Sequence, residues 1–167
     1  MKSLLAATAA LLLAAAGSAH GQPAAAPKMQ DFINAAAIGA LVEIETSKLA
    51  LMKADNPKSK QFAQKMIDDH TETSKELKVL VSGGKVKATV PTAWDRAQQA
   101  KLDEMSSLKS AEFTKQYNAM QLASHKDAVS LFDRYAKGGD NAELKAFATR
   151  HLPHLREHLK MAEALDK

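Results

Sequence analysis

From Met29 onward the apolar positions recur with a helical period and are broken by short polar or glycine-rich stretches. At 100° per residue, Phe32, Ile33, Ala36, Ala37, Ala40, Ile44 and Ala50 share one broad face, which predicts a helix from about Met29 to Ala54. "ADNP" ends it, and Asp55 or Asn56 caps a second helix with Pro57 in its first turn. That helix runs to about Val81 on a stripe of Phe62, Ala63, Met66, Ile67, Leu77 and Leu80, and "SGGK" stops it. Val86 to Val90 reads as an extended connection. A short helix should open at Pro91-Thr92, with Thr92 as its N-cap and Asp95 in the third position, and close near Ser106-Ser107. A long helix is expected from about Ser110 to Ala136, on Phe113, Tyr117, Met120, Ala128, Leu131 and Tyr135. After the turn "KGGDN" the last helix spans Asn141 to about Leu165, with Leu144, Phe147, Ala148, Leu152, Leu155, Leu159 and Ala162 inward. Pro153 within it removes a hydrogen bond to the carbonyl of Thr149, so a kink or break is expected near 149–152.

"DNPKSKQFAQKM" from Asp55 and "DNAELKAFATRH" from Asp140 share Asp, Asn, Lys, Phe and Ala in step. Read as a faint repeat, this makes two helical hairpins joined by a longer connection across 82–109. The fold class is therefore all-α: a ferritin-like four-helix bundle whose long crossover carries a short extra helix.

Each long helix interrupts its apolar face with a polar residue. Glu43 lies eleven residues after Phe32, roughly 20° from it around the axis, whereas Glu45 points nearly to the other side. His70 sits among Ala63, Met66 and Leu77, with Asp69 at the margin of that stripe and placed to orient it. His125 falls between its helix's stripe and the extension of that stripe through Leu122, Val129 and Phe132. In "HLPHLREH", His151 and His158 share the face of Leu155, and His154 lies at the edge. A lone histidine on an apolar face is usually a hydrogen-bonded core residue, but four such positions on four helices point to convergence. A buried carboxylate needs a partner. Neutral imidazoles with one carboxylate suit one transition-metal ion, Zn, Fe, Cu or Mn. The candidate ligands are Glu43, His70, His125 and His158, followed by Asp69, His151 and His154. No Glu-x-x-His occurs, which disfavours a di-iron carboxylate centre, and there is no H-E-x-x-H zinc-protease motif. A metal-free Glu/His polar core and a mononuclear metal site for oxidation stand as alternatives. No catalytic residue is assigned, and the balance leans away from an enzyme.

Composition narrows the chemistry further. The chain of 167 residues suits one domain. With no cysteine, thiolate ligands, disulfides and a lipidated cysteine are all excluded, so any metal must be held by His, carboxylate or Met. A formal charge of +4 with only 5% aromatic residues is too mild for a nucleic-acid partner. The N-terminus differs from the rest: Lys2, an apolar run from Leu4 to Ala16, and small residues in "GSAHG". That run is too short to span a bilayer and reads as a signal peptide over residues 1–21. Residues 22–28, "QPAAAPK", then form a flexible linker, and 29–167 the bundle domain. The expected location is the bacterial periplasm, with no transmembrane segment in the mature chain. A metal ion is the expected partner; no protein partner is assigned.

Four stretches carry a resemblance: "FINAAAIGALVEIETSKLAL", "QFAQKMIDDHTETSKEL", "EFTKQYNAMQLASHKDAVSLF" and "LKAFATRHLPHLREHLKMAEAL". From about Asp31 to Ala164 the chain resembles the domain of unknown function 4142 family, exported bacterial proteins of the ferritin-like fold. The resemblance carries Glu43, Asp69-His70, His125, Leu152-Pro153 and His158 as family-typical positions. It does not carry His151 or His154, and Thr114 stands where an Asp is common. It implies a helical bundle in the cell envelope and no established activity.

Overall fold

The computed structural model describes residues 25–166; the expected signal peptide lies outside the described residues. Five helices account for the described chain: α1 (Met29–Lys53), α2 (Pro57–Ser82), α3 (Arg96–Ser107), α4 (Ser110–Gly138) and α5 (Ala142–Ala162). The fold is an all-α bundle of four long helices. α1 packs mainly on α2 and α4 mainly on α5, giving two hairpins that meet chiefly through α1 and α4. The connection between hairpins carries α3, as the periodicity predicted. No described helix is long and apolar enough to cross a membrane.

Local chemistry sets the helix ends. Asn56 accepts from the amide of Lys58 with Pro57 in the first turn of α2, and Asn141 accepts from the amide of Leu144 at the start of α5. α1 has no cap of its own; Asp140, from the turn between α4 and α5, accepts from the amide of Met29 at 3.3 Å and ties the two hairpins together.

Two expectations need correction. Thr92 is not the N-cap of α3. Asp95 is: its side chain accepts from the amides of Ala97 and Gln98 while the side chain of Gln98 returns to the amide of Asp95. This reciprocal box satisfies more orphan donors than Thr92 had on offer. Nor does Pro153 break the last helix, for α5 is continuous from Ala142 to Ala162. Pro153 and Thr149 are both exposed, so the carbonyl freed by the proline faces solvent. Leu152, Leu155 and His158 are buried on the other side and hold the helix to the bundle. Packing of the inward face outweighs a defect on the outward one.

The interior is two apolar cores. One gathers Phe32, Ile33, Leu77, Phe132, Tyr135, Leu144 and Phe147, with the rings of Phe32 and Tyr135 stacked at 4.0 Å. The other gathers Ala50, Phe62, Met66, Phe113, Tyr117 and Leu165. Along every long helix a polar residue falls between its contributions to the two cores: Glu43, His70, His125 and His158. A polar layer thus divides the bundle.

Candidate metal centre

All four of these side chains are buried, at 4%, 8%, 1% and 2% exposure, so none is a solvated residue that merely happens to sit on an apolar stripe. Three of them converge. One ring nitrogen from each of His70, His125 and His158 lies within 4.8 Å of the other two, and no carboxylate among the described residues joins them in that span. The ring centroids are 5.4 to 5.9 Å apart. Three nitrogens bound to one ion at ~2.0–2.1 Å would stand roughly 3.4 Å apart, so a small inward movement closes the set.

Hydrogen bonds on two of the rings decide which nitrogen carries the proton and which is left free. His125 Nδ1 lies 2.9 Å from the carbonyl oxygen of Gln121, an acceptor, so Nδ1 carries the proton. His158 Nε2 lies 2.7 Å from Asp69 Oδ2, and it too must donate. What remains is an unprotonated Nε2 on His125 and an unprotonated Nδ1 on His158. Both are buried and without a partner, as is Nε2 of His70. A carboxylate or carbonyl behind an imidazole is how proteins orient metal-binding histidines and raise their basicity. Asp69 was expected to orient His70, its neighbour in sequence; it instead reaches across to His158 on α5.

The electrostatics agree. Burial depresses His70 to about 3, with His125 and His158 adding to the effect, and depresses His125 to about 4 against the opposing bond to Gln121. Burial also lowers His158, with Asp69 pulling the other way. All three are therefore neutral near pH 7, and neutral imidazole is the form that binds metal. Burial pushes Asp69 up, but Lys65 and His158 beside it outweigh this and hold it below the usual carboxylate range. Lys65 pairs with Asp69 at 2.8 Å.

Glu43 stands in the same layer but apart from the triad. Its carboxyl lines a cavity with His70 and His125, and neither oxygen has a hydrogen-bond partner. Burial raises it to about 7 despite the nearby Gln121 and Ser124. Gln121 is fully buried, and both polar atoms of its side chain are also unpartnered.

The other two histidines of "HLPHLREH" lie outside the triad. His151 is half-buried against the ring of Phe147 at 4.4 Å, and its Nε2 lies 2.7 Å from Glu76 Oε2. Arg150 also pairs with Glu76. Burial pushes Glu76 up, but Arg150 and His151 hold it below its ordinary range. His154 is exposed. With Asp69, Glu72 and His158 these two histidines line a groove of about 200 Å³ that opens onto the triad between α2 and α5. Sequence reasoning missed Gln121 and Glu76. Gln121 could have been found one turn before His125; nothing in the local sequence signals that Glu76 faces His151.

The sequence profile of the domain of unknown function (DUF4142) matches residues 14–165. No curated protein matches the chain in sequence. Among solved structures, CopM in the Cu(I)-bound form superposes with a TM-score of 0.67 at 18% identity, covering 83% of this chain and 94% of that one. CopM in the Cu(II)-bound form gives 0.67 at 19% identity, covering 83% and 95%. At that identity the likeness is one of fold, and it is to another helical protein. The chain belongs to the DUF4142 family.

Proposed function

We propose that this DUF4142 protein binds one transition-metal ion through His70, His125 and His158, copper first among the candidates. The observation that carries the proposal is the convergence of three buried, neutral imidazoles, each with one buried nitrogen that has no partner, two of them fixed in their tautomer by a hydrogen bond at the other nitrogen. A metal-free polar core would satisfy those nitrogens internally, because a buried acceptor without a partner costs roughly 1–3 kcal/mol. Imidazole donors suit copper and zinc, and the copper-bound CopM structures share the fold. Such an ion would be held for buffering or sensing. Three protein donors also leave it able to accept a further ligand.

We place the protein outside the cytoplasm, in the periplasm, on the leader-like pattern of Lys2 and the run Leu4 to Ala16. N-terminal sequencing of protein from a periplasmic fraction should begin at Gln22; a chain still beginning at Met1 would overturn that placement.

The metal reading is tested by titrating purified protein with Cu(I) under anaerobic conditions, and with Cu(II) and Zn(II), against a chromophoric competitor. One equivalent should bind to the wild type. His70→Ala and His158→Ala should each lose it, and His154→Ala should keep it. Equal binding by all four proteins would sink the proposal, and so would no binding by the wild type.

A further inference from the structure

A second site lies on the other side of the histidines from the α2–α5 groove. Between α1 and α4 a cavity of about 170 Å³ runs inward to Glu43, Ser74, His70 and His125. Small residues hold it open: Ala35, Ala36, Gly39 and Ala40 occupy the wall given by α1, and a Cβ added at Gly39 would meet nothing within 4 Å. Further in, the walls are the apolar side chains of Leu77, Leu131, Phe132 and Phe147. Only two carboxylates, Glu43 within and Asp127 at the exposed rim, carry charge there, and no lysine or arginine lines the space. Both oxygens of Glu43 and the hydroxyl of Ser74 are buried without partners. Glu43 is itself 4% exposed.

We propose that this cavity binds a small organic amine, its ammonium group donating to Glu43 and its apolar body lying against Leu77, Leu131, Phe132 and Phe147. A buried carboxylate with no cation beside it is costly and an ammonium in hydrogen-bonding reach relieves it. The acidic rim at Asp127 favours cations over anions on approach. An apolar cavity of ~150 Å³ holds benzene, so this one limits the ligand to about a single ring with a short aminomethyl arm. The groove between α2 and α5, lined by four histidines with Asp69 and Glu72, offers hydrated metal ions a polar path, so the two openings differ in chemistry. The amine site does not depend on the metal reading, and its test is run without metal.

The test uses metal-free full-length protein in excess chelator and reads binding by calorimetry and by thermal shift. Benzylamine is the probe, with toluene and benzoate as the neutral and anionic analogues. Benzylamine should bind at least tenfold tighter than toluene, and benzoate should not bind. Glu43→Gln should remove the preference for the amine while toluene binding persists. Gly39→Leu fills the exposed mouth at a position with open space and favours the helix, so it should fold and lose both ligands. Benzylamine binding no tighter than toluene would overturn the proposal, as would an amine preference that survives Glu43→Gln or binding that survives Gly39→Leu.

Discussion

The same helices bury two sets of polar side chains, and the two sets are built in opposite ways. Beside the second apolar core, Ser47 and Tyr117 share a hydrogen bond of 2.9 Å, Ser59 donates to Asn118 at 2.9 Å, and Asn118 donates onward to the exposed Asp166 at 2.7 Å. In the middle layer, Glu43, Gln121, Ser74 and the three histidines leave eight buried polar atoms with no partner. The helices are evidently able to close polar networks where closure serves stability. An unclosed set on the same scaffold is therefore a site that awaits something from outside, and the asymmetry of hydrogen-bond energetics makes such a set costly to keep otherwise.

The contrast breaks most visibly at the triad. His70→Ala should weaken copper binding by roughly 100- to 1000-fold, since the ~10–16 kcal/mol of a structural metal site is shared among about four donors. Competition titration reads this directly, and a loss below tenfold would mean that His70 is not a ligand.

The next effect lies in pH. Glu43 is raised from 4.5 to about 7, so its contribution is fully present below about 4.5 and is lost as pH rises through about 7. The histidines run the other way: depressed from 6.5, they stabilise fully above that value and lose this as pH falls toward about 4 for His125 and about 3 for His70. Comparing wild type with Glu43→Gln isolates the carboxyl. In chelator, the wild type should lose about 3 kcal/mol relative to the variant between pH 4.5 and pH 8, from a shift of about 2.5 pH units. Urea unfolding across that range measures it, and a difference independent of pH would refute the burial of an unpaired Glu43.

A smaller change comes from behind the triad. Asp69→Ala frees the His158 ring, and a lost orienting partner typically costs 10- to 100-fold in metal affinity; unchanged affinity would show that Asp69 serves only its pair with Lys65. Smallest is the closed network. Ser47→Ala strands the Tyr117 hydroxyl and should cost about 1 kcal/mol of stability with copper affinity unchanged, as denaturation and titration on one sample would show. A fall in copper affinity there would dissolve the distinction between the two sets.

The helices and the polar position on each were legible because both are periodic properties of one strand of sequence. Phe32 and Glu43 share a face whatever surrounds them, and so do Leu155 and His158. Relations between helices were not legible. Asp69 could as well have turned to His70 as to His158; which it meets depends on how α2 lies against α5. The separation of Glu43 from the triad has the same origin, since periodicity gives an angle about one axis and not a depth along another. Ser47, Ser59 and Asn118 gave no signal, because small polar residues are common on solvated faces. The start of α3 lies a few residues later than the sequence suggests because two residues three positions apart, Thr92 and Asp95, both have capping chemistry and only the return bond from Gln98 separates them. Pro153 misled because its cost depends on which face it occupies, and its exposure is a tertiary fact.

Of the triad, His70 alone comes from the first hairpin, while His125 and His158 come from the second. An ion bridging them would staple chain segments far apart in sequence, closing loops of roughly 55 and 88 residues in a protein that has no cysteine with which to form a covalent staple. Cross-links over loops of this size restrict the unfolded chain by about 4 kcal/mol. The layer between the two cores would then be a removable cross-link, one that fastens the two hairpins when metal is plentiful and releases them when it is scarce.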